Sequence, residues 1–151
     1  MIEVREIVST ACDQDVTSSV TLPFEDRQKS RQRVCLDSGE QIGLFLPRGT
    51  ILRGGDLLRD EAGRFIRVVA AAESLSIAST PDAFQLARCA YHLGNRHVPI
   101  QMGEGWLSYQ KDHVLDEMVV GLGLVVRSEQ APFEPESGAY SQHTHHGHSH
   151  G

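Results

Sequence analysis

The chain changes its pattern near Ala70, and that change restricts its fold more than any other feature. Before it, apolar residues come in short runs: Ile2 to Val8, Gln32 to Leu36, Gln41 to Phe45 and Arg64 to Val69. Between and around them stand LDSGEQ, LPRGT, LRGGD and DEAGR, whose Gly, Pro and Asp residues suit tight turns. No stretch there keeps a helical period beyond two turns, so residues 1–70 are expected to form an all-β, sandwich-like domain.

After Ala70 strands and helices alternate. AAAESLSIAS reads as a strand with Leu75 and Ile77 on one face. STPDAFQLARCAYHLGN then predicts a helix from about Pro81 to Leu93. Thr80 is its expected N-cap, Pro81 its first position, and Asp82 lies at the positive end of its dipole. Leu86, Ala90 and Leu93 share one face, and Gly94 suits the left-handed position that closes a helix. HVPIQMGEGWLSYQ predicts two short strands around MGEG. KDHVLDEMVVGLGL predicts a second helix, capped by Asp112, with Val114, Leu115, Met118 and Leu122 inward. LVVRSEQ closes the series as a strand. The order β-α-β-β-α-β is the ferredoxin-like split βαβ pattern, expected over residues 71–135. The whole is an α+β chain. Residues 136–151 hold almost nothing apolar and are expected to be a disordered, histidine-rich tail.

Composition narrows the partners. The formal net charge is −6 and no basic patch stands out, which argues against nucleic acid. No segment approaches the ~20 apolar residues that cross a bilayer, and MIEVREIVST mixes charges with apolar residues, unlike a signal peptide. Cys12, Cys35 and Cys89 form neither a CxxC pair nor a disulfide framework, as expected of thiols in a reducing, cytoplasmic compartment.

Histidine carries the chemical signal. Of eight histidines, five fall in the last nine residues: His143, His145, His146, His148 and His150. Neutral imidazole suits Ni, Zn, Cu and Fe, and histidines at every first or second residue can wrap one ion. Thr, Gly and Ser interrupt the run, whereas purification tags are normally unbroken. His97 stands in GNRHVPI just beyond the first helix, His113 in the first turn of the second, and His92 inside the first. His92 reads as a packing or surface residue. HExxH, GxxxxGK[ST] and GxSxG are absent, so no zincin helix, P-loop or nucleophile elbow is expected.

LFLPRGTILRGGD, AAAESL, YHLGNRHVPIQ, YQKDHVLDEM, PFEPESGAY and the histidine-rich end together resemble the UreE family of urease accessory proteins. These stretches span nearly the whole chain in the family's order. The resemblance implies a nickel metallochaperone with an N-terminal domain similar to the peptide-binding domain of Hsp40-type chaperones. It also implies a homodimer formed through the ferredoxin-like domain. His97 would then meet its copy near the two-fold axis and share one Ni(II), His113 would be a further metal position, and the tail histidines would add ligands. Zn(II) and Cu(II) suit the same donors. The implied partners are the urease accessory GTPase and the complex of urease apoprotein with its accessory proteins. Gln110 and Lys111 stand where some relatives carry extra histidines, which removes those donors here.

Three functions compete on this reading. The first is delivery of nickel for assembly of the urease active site. The second is a passive nickel or zinc buffer, which the tail alone could serve. The third is a metal-dependent enzyme, which needs about three fixed ligands and an open position. Only His97 and His113 are obvious internal ligands, and no motif places a general base.

Overall fold

Short alternating runs make the strands of the first unit. The computed structural model describes residues 1–8 and 15–138, and the divide between its two units falls between Ala71 and Ala72. The first contains β1 (Ile2–Val8), β2 (Val16–Leu22), a one-turn α1 (Phe24–Arg27), β3 (Arg31–Cys35), β4 (Gln41–Phe45), β5 (Leu57–Asp60) and β6 (Phe65–Ala70). They form one curled, mixed sheet in the order β2-β6-β5-β1-β4-β3, with β1–β4 and β2–β6 parallel. Its core includes Val4, Val20, Leu44, Leu58, Ile66 and Val68, none of them exposed to solvent. β2 and β5 were not anticipated from the sequence. VTSSVTL dilutes its apolar residues with Ser and Thr, and LLRD is too short to display a period.

The DEAGR turn is held by a buried carboxylate. Asp60 Oδ1 accepts from the backbone N–H groups of Ala62 and Arg64, both at 2.9 Å. Its Oδ2 accepts from Arg64 Nε at 2.7 Å. The same guanidinium donates both terminal nitrogens to Glu40, joining this turn to the one between β3 and β4. Burial pushes the Asp60 carboxyl up, but the Arg64 N–H and guanidinium, with the Ala62 N–H, outweigh it and hold it below its ordinary value. A group lowered in the folded state adds stability above its unfolded value and loses it as pH falls through the lowered one. Asp60→Ala strands two N–H groups and part of an ion pair. It is expected to cost about 2 kcal/mol in urea unfolding at neutral pH, and the deficit should shrink below about pH 4.

The second unit runs β7 (Ala72–Ser79), α2 (Ala83–Asn95), β8 (Gln101–Gly103), β9 (Trp106–Gln110), α3 (His113–Gly121) and β10 (Val125–Pro132). The sheet order is β10-β7-β9-β8 with every neighbouring pair antiparallel, the ferredoxin-like arrangement. Ala78, Leu107 and Tyr109 of the sheet pack with Cys89 and Leu93 of α2, Val119 of α3 and Leu124. Leu75 and Ile77 are buried on the alternate positions of β7.

Three details of the expected helices are corrected. α2 begins at Ala83 because Asp82, not Thr80, is its cap: Asp82 Oδ1 accepts from the N–H groups of Phe84 and Gln85. The Thr80 hydroxyl instead accepts from Asp82 N–H and donates to Gln85 Oε1, buttressing that cap. Asp112 does cap α3, accepting from Val114 and Leu115. Val114, however, is 52% exposed, since the inward face is Leu115, Met118, Val119 and Leu122 at helical spacing. Finally, α2 runs through Gly94 to Asn95, and the left-handed residue lies further on, at His97. Among the described residues no helix is long and apolar enough to cross a membrane.

Candidate metal centre

Both helices of the second unit close with the same hydrogen-bond pattern, but with different residues at the strained position. At the end of α3, Gly123 N–H donates to Val120 O (2.9 Å) and Leu124 N–H to Val119 O (3.4 Å). Gly123 has φ 102°. At the end of α2, His97 N–H donates to Gly94 O (2.9 Å) and Val98 N–H to Leu93 O (3.1 Å). His97 has φ 61° and is the one non-glycine residue with positive φ among the described residues. This is the Schellman closure, in which glycine normally takes the left-handed place. The side chains that complete it are Leu93 and Val98, which pack in one cluster.

An L-residue held in that region costs on the order of 1 kcal/mol or more, and such strain gathers at functional sites. Gly94 lies only three residues upstream and could have ended the helix without strain. The apolar reach from Leu93 to Val98 moves the closure to His97 instead. Its imidazole is exposed on a backbone pinned on both sides.

His113 is the first residue of α3 and is also exposed. Its turn is fixed by the Asp112 cap and by Asp116, which accepts from the Tyr109 hydroxyl (2.7 Å) and the Lys111 ammonium (2.8 Å). Burial and the Asp116 carboxylate push the Tyr109 hydroxyl well above its ordinary value, so it stays a donor at any working pH. Burial raises Asp116, but the Lys111 ammonium and Tyr109 hydroxyl override it and hold its carboxyl below the usual range.

Strand directions bring the two histidines to one end of the unit. β7 and β8 run one way and β9 the other, so α2 ends, and α3 begins, at the edge where β7 starts. His92 is half-buried within α2, edge-on to Tyr91. His143, His145, His146, His148 and His150 lie outside the described residues. Among the described residues no three His, Cys, Asp or Glu side chains of one chain converge to hold an ion.

The segment after β10 was not singled out from the sequence as part of the site, yet it ends there. Glu134 N–H donates to Gln101 Oε1 (2.9 Å), and Glu136 N–H donates to Ile100 O (2.7 Å), in the loop that carries His97. Its sequence signals were the alternation of Phe133 and Pro135, both buried, and its place in PFEPESGAY, one of the stretches that carry the resemblance.

Comparison with known proteins adds a family. The family model for the C-terminal domain of the UreE urease accessory protein matches residues 73–151, and that for its N-terminal domain matches residues 4–71. A urease accessory protein UreE of Pseudomonas putida strain W619 is 58% identical over 131 residues, covering 86% of this chain and 81% of that protein. One from Alkalilimnicola ehrlichii is 54% identical over 140 residues, covering 93% and 85%. One from Vibrio parahaemolyticus is 53% identical over 135 residues, covering 85% of each.

Proposed function

This chain belongs to the UreE family of urease accessory proteins, and from that premise we propose that it is a nickel metallochaperone for assembly of the urease active site. A role in urease maturation comes with the family, which is one of accessory proteins and not of enzymes. The cargo, the donors and the assembly are our reading. One observation carries it above the others: an exposed histidine occupies the left-handed closing position of a helix, where glycine would be less strained.

A single His97 cannot hold nickel, and no third donor converges on it within one chain among the described residues. A second copy related by a two-fold axis would double each donor at no cost in sequence. The outer face of α2 supports such a contact: Phe84 is 72% exposed and Tyr91 66% exposed, seven residues apart on the helix that ends at His97. Exposed aromatic pairs of that kind are enriched at protein interfaces. In this reading two His97 side chains share one Ni(II), and His113, tail histidines or water fill its remaining positions. Zn(II) and Cu(II) compete for the same imidazoles. The protein works in the cytoplasm, handing the ion to the urease accessory GTPase and the complex of urease apoprotein with its accessory proteins.

Imidazole and water ligands exchange one at a time, which suits delivery better than thiolate does. They bind metal only when unprotonated, and free imidazole has a pKa of about 6.5. Nickel affinity is therefore expected to fall steeply between about pH 7.5 and about pH 5.5, as calorimetry would record. An unchanged affinity over that range contradicts imidazole ligation.

The test of function is activation of urease apoprotein in the presence of its accessory proteins. A chaperone lacking residues 141–151 should keep one nickel per dimer and part of its activation, whereas His97→Ala should lose most of it. A passive buffer would show the opposite order.

A further inference from the structure

The first sheet carries on its outer face a positive charge that the chain as a whole lacks. β1, β4 and β3 lie side by side in that order. Val4, Ile42, Leu44 and Val34 fill the core, so the residues that alternate with them face outward: Arg5 on β1, Gly43 and Phe45 on β4, Arg31 and Arg33 on β3. Arg31 is paired across the sheet with Phe45, and Arg33 with Gly43.

Phe45 lies along its own strand over the bare backbone of Gly43, where a Cβ would come within 2.9 Å of its ring. The Arg5 guanidinium is 5.1 Å and the Arg31 guanidinium 5.6 Å from the centre of that ring. Contacts of this kind hold a guanidinium by its face and leave the N–H groups on its edge free to donate. The acids of β1 are already engaged: Glu6 accepts from Arg59 at 3.0 Å, and Glu3 pairs with Arg5. Arg31 and Arg33 are exposed, and neither meets a carboxylate among the described residues.

These two arginines, two positions apart on one strand, stand about 7 Å from each other, in a chain of formal net charge −6. That net charge opposes the run of phosphates on a nucleic acid. Anionic membrane surfaces are read by clusters of about four to eight basic residues, more than the pair left without a counter-ion here. A short acidic segment of a protein matches the face. Its carboxylates take bidentate bonds from the two guanidiniums, and an apolar side chain beside them lies on the Phe45 ring. Arginine and aromatic residues are also those that protein interfaces enrich.

We propose that the outward face of β1, β4 and β3 docks an acidic segment of a partner protein, with Arg31 and Arg33 holding its carboxylates and Phe45 seating an adjacent apolar side chain. The surface goes beyond the nickel reading, since every residue of it belongs to the first unit, whereas His97 and His113 belong to the second.

The test is NMR of the full chain, labelled with nitrogen-15, titrated with the acetylated and amidated probe peptide Glu-Glu-Leu-Glu-Glu-Leu-Glu-Glu. At low salt the Nε–Hε signals of Arg31 and Arg33 are expected to shift and to saturate with a Kd below about 1 mM. Raising the ionic strength from about 0.01 M to about 0.15 M, which shortens the Debye length from about 30 Å to about 8 Å, should weaken binding several-fold. Arg31→Glu combined with Arg33→Glu is expected to weaken it at least about tenfold, with the thermal midpoint and the nickel affinity of the wild type. Lysine at both positions keeps the charge and should lose less than the glutamates do. Arginine signals that stay unmoved in the wild type overturn the proposal, whatever the variants do. So does binding that survives the double charge reversal, or equal binding of the same peptide with Gln in place of Glu. Tighter engagement of the two arginines by phosphatidylserine vesicles or by a single-stranded oligonucleotide than by the peptide also overturns it, because the face would then read phosphate.

Discussion

A His97→Gly variant is expected to be more stable than the wild type and to have lost its tight nickel site. The two effects have one cause. The backbone at position 97 sits at φ 61°, where glycine pays no steric penalty and histidine pays about 1 kcal/mol. Removing the side chain relieves that strain, so the urea midpoint should rise by the equivalent of about 1 kcal/mol. The same change deletes a donor from both copies of a shared site. Losing even a residue behind a metal ligand costs roughly 10–100-fold in affinity, so losing the ligands themselves should cost at least about 100-fold. His97→Ala should weaken nickel equally without the gain in stability, because alanine carries the Cβ that strains the position. A variant that binds nickel as the wild type does would remove His97 from the site.

The second large effect is expected inside the domain. Leu93 is completely buried, its carbonyl accepts from Val98 N–H, and its side chain packs in the cluster that includes Val98. Leu93→Ala should cost about 3 kcal/mol through lost transfer energy and the cavity left behind. Urea unfolding should show a lower midpoint with an unchanged slope. Nickel affinity should fall as well, because the cluster that Val98 packs against loses one of its members and the loop holding His97 loosens. A loss below about 1 kcal/mol would mean that the closing contact at the end of α2 is weaker than its burial implies.

How much of this was legible in the sequence depended on the physics behind each feature. β1 and β4 could be bounded to the residue because apolar runs meet turn residues cleanly at their ends. The Asp112 cap was legible because it stands directly before an apolar period. At α2 two good capping residues compete two positions apart, and the choice of Asp82 over Thr80 is settled by which carboxylate or hydroxyl can reach two N–H groups at once. Gly94 was the natural helix stop by propensity. It was overruled by packing, since only an end at His97 lets Val98 return onto Leu93.

The candidate site was partly legible for similar reasons. His97 and His113 could be named from their place beside helices, but the strain at His97 is a backbone property with no signature in residue type. Gln101 reads as an ordinary strand residue until the segment after β10 is seen to return to it. That contact joins residues thirty-three positions apart, a distance at which local pattern says nothing.

Anomalous diffraction at the nickel edge, from crystals of the nickel-loaded full chain, tests the central claim most directly. The account predicts a nickel peak on a two-fold axis between two copies of the chain, within bonding distance of the His97 imidazole of each. Nickel bound elsewhere, with both His97 side chains free of it, would contradict the account.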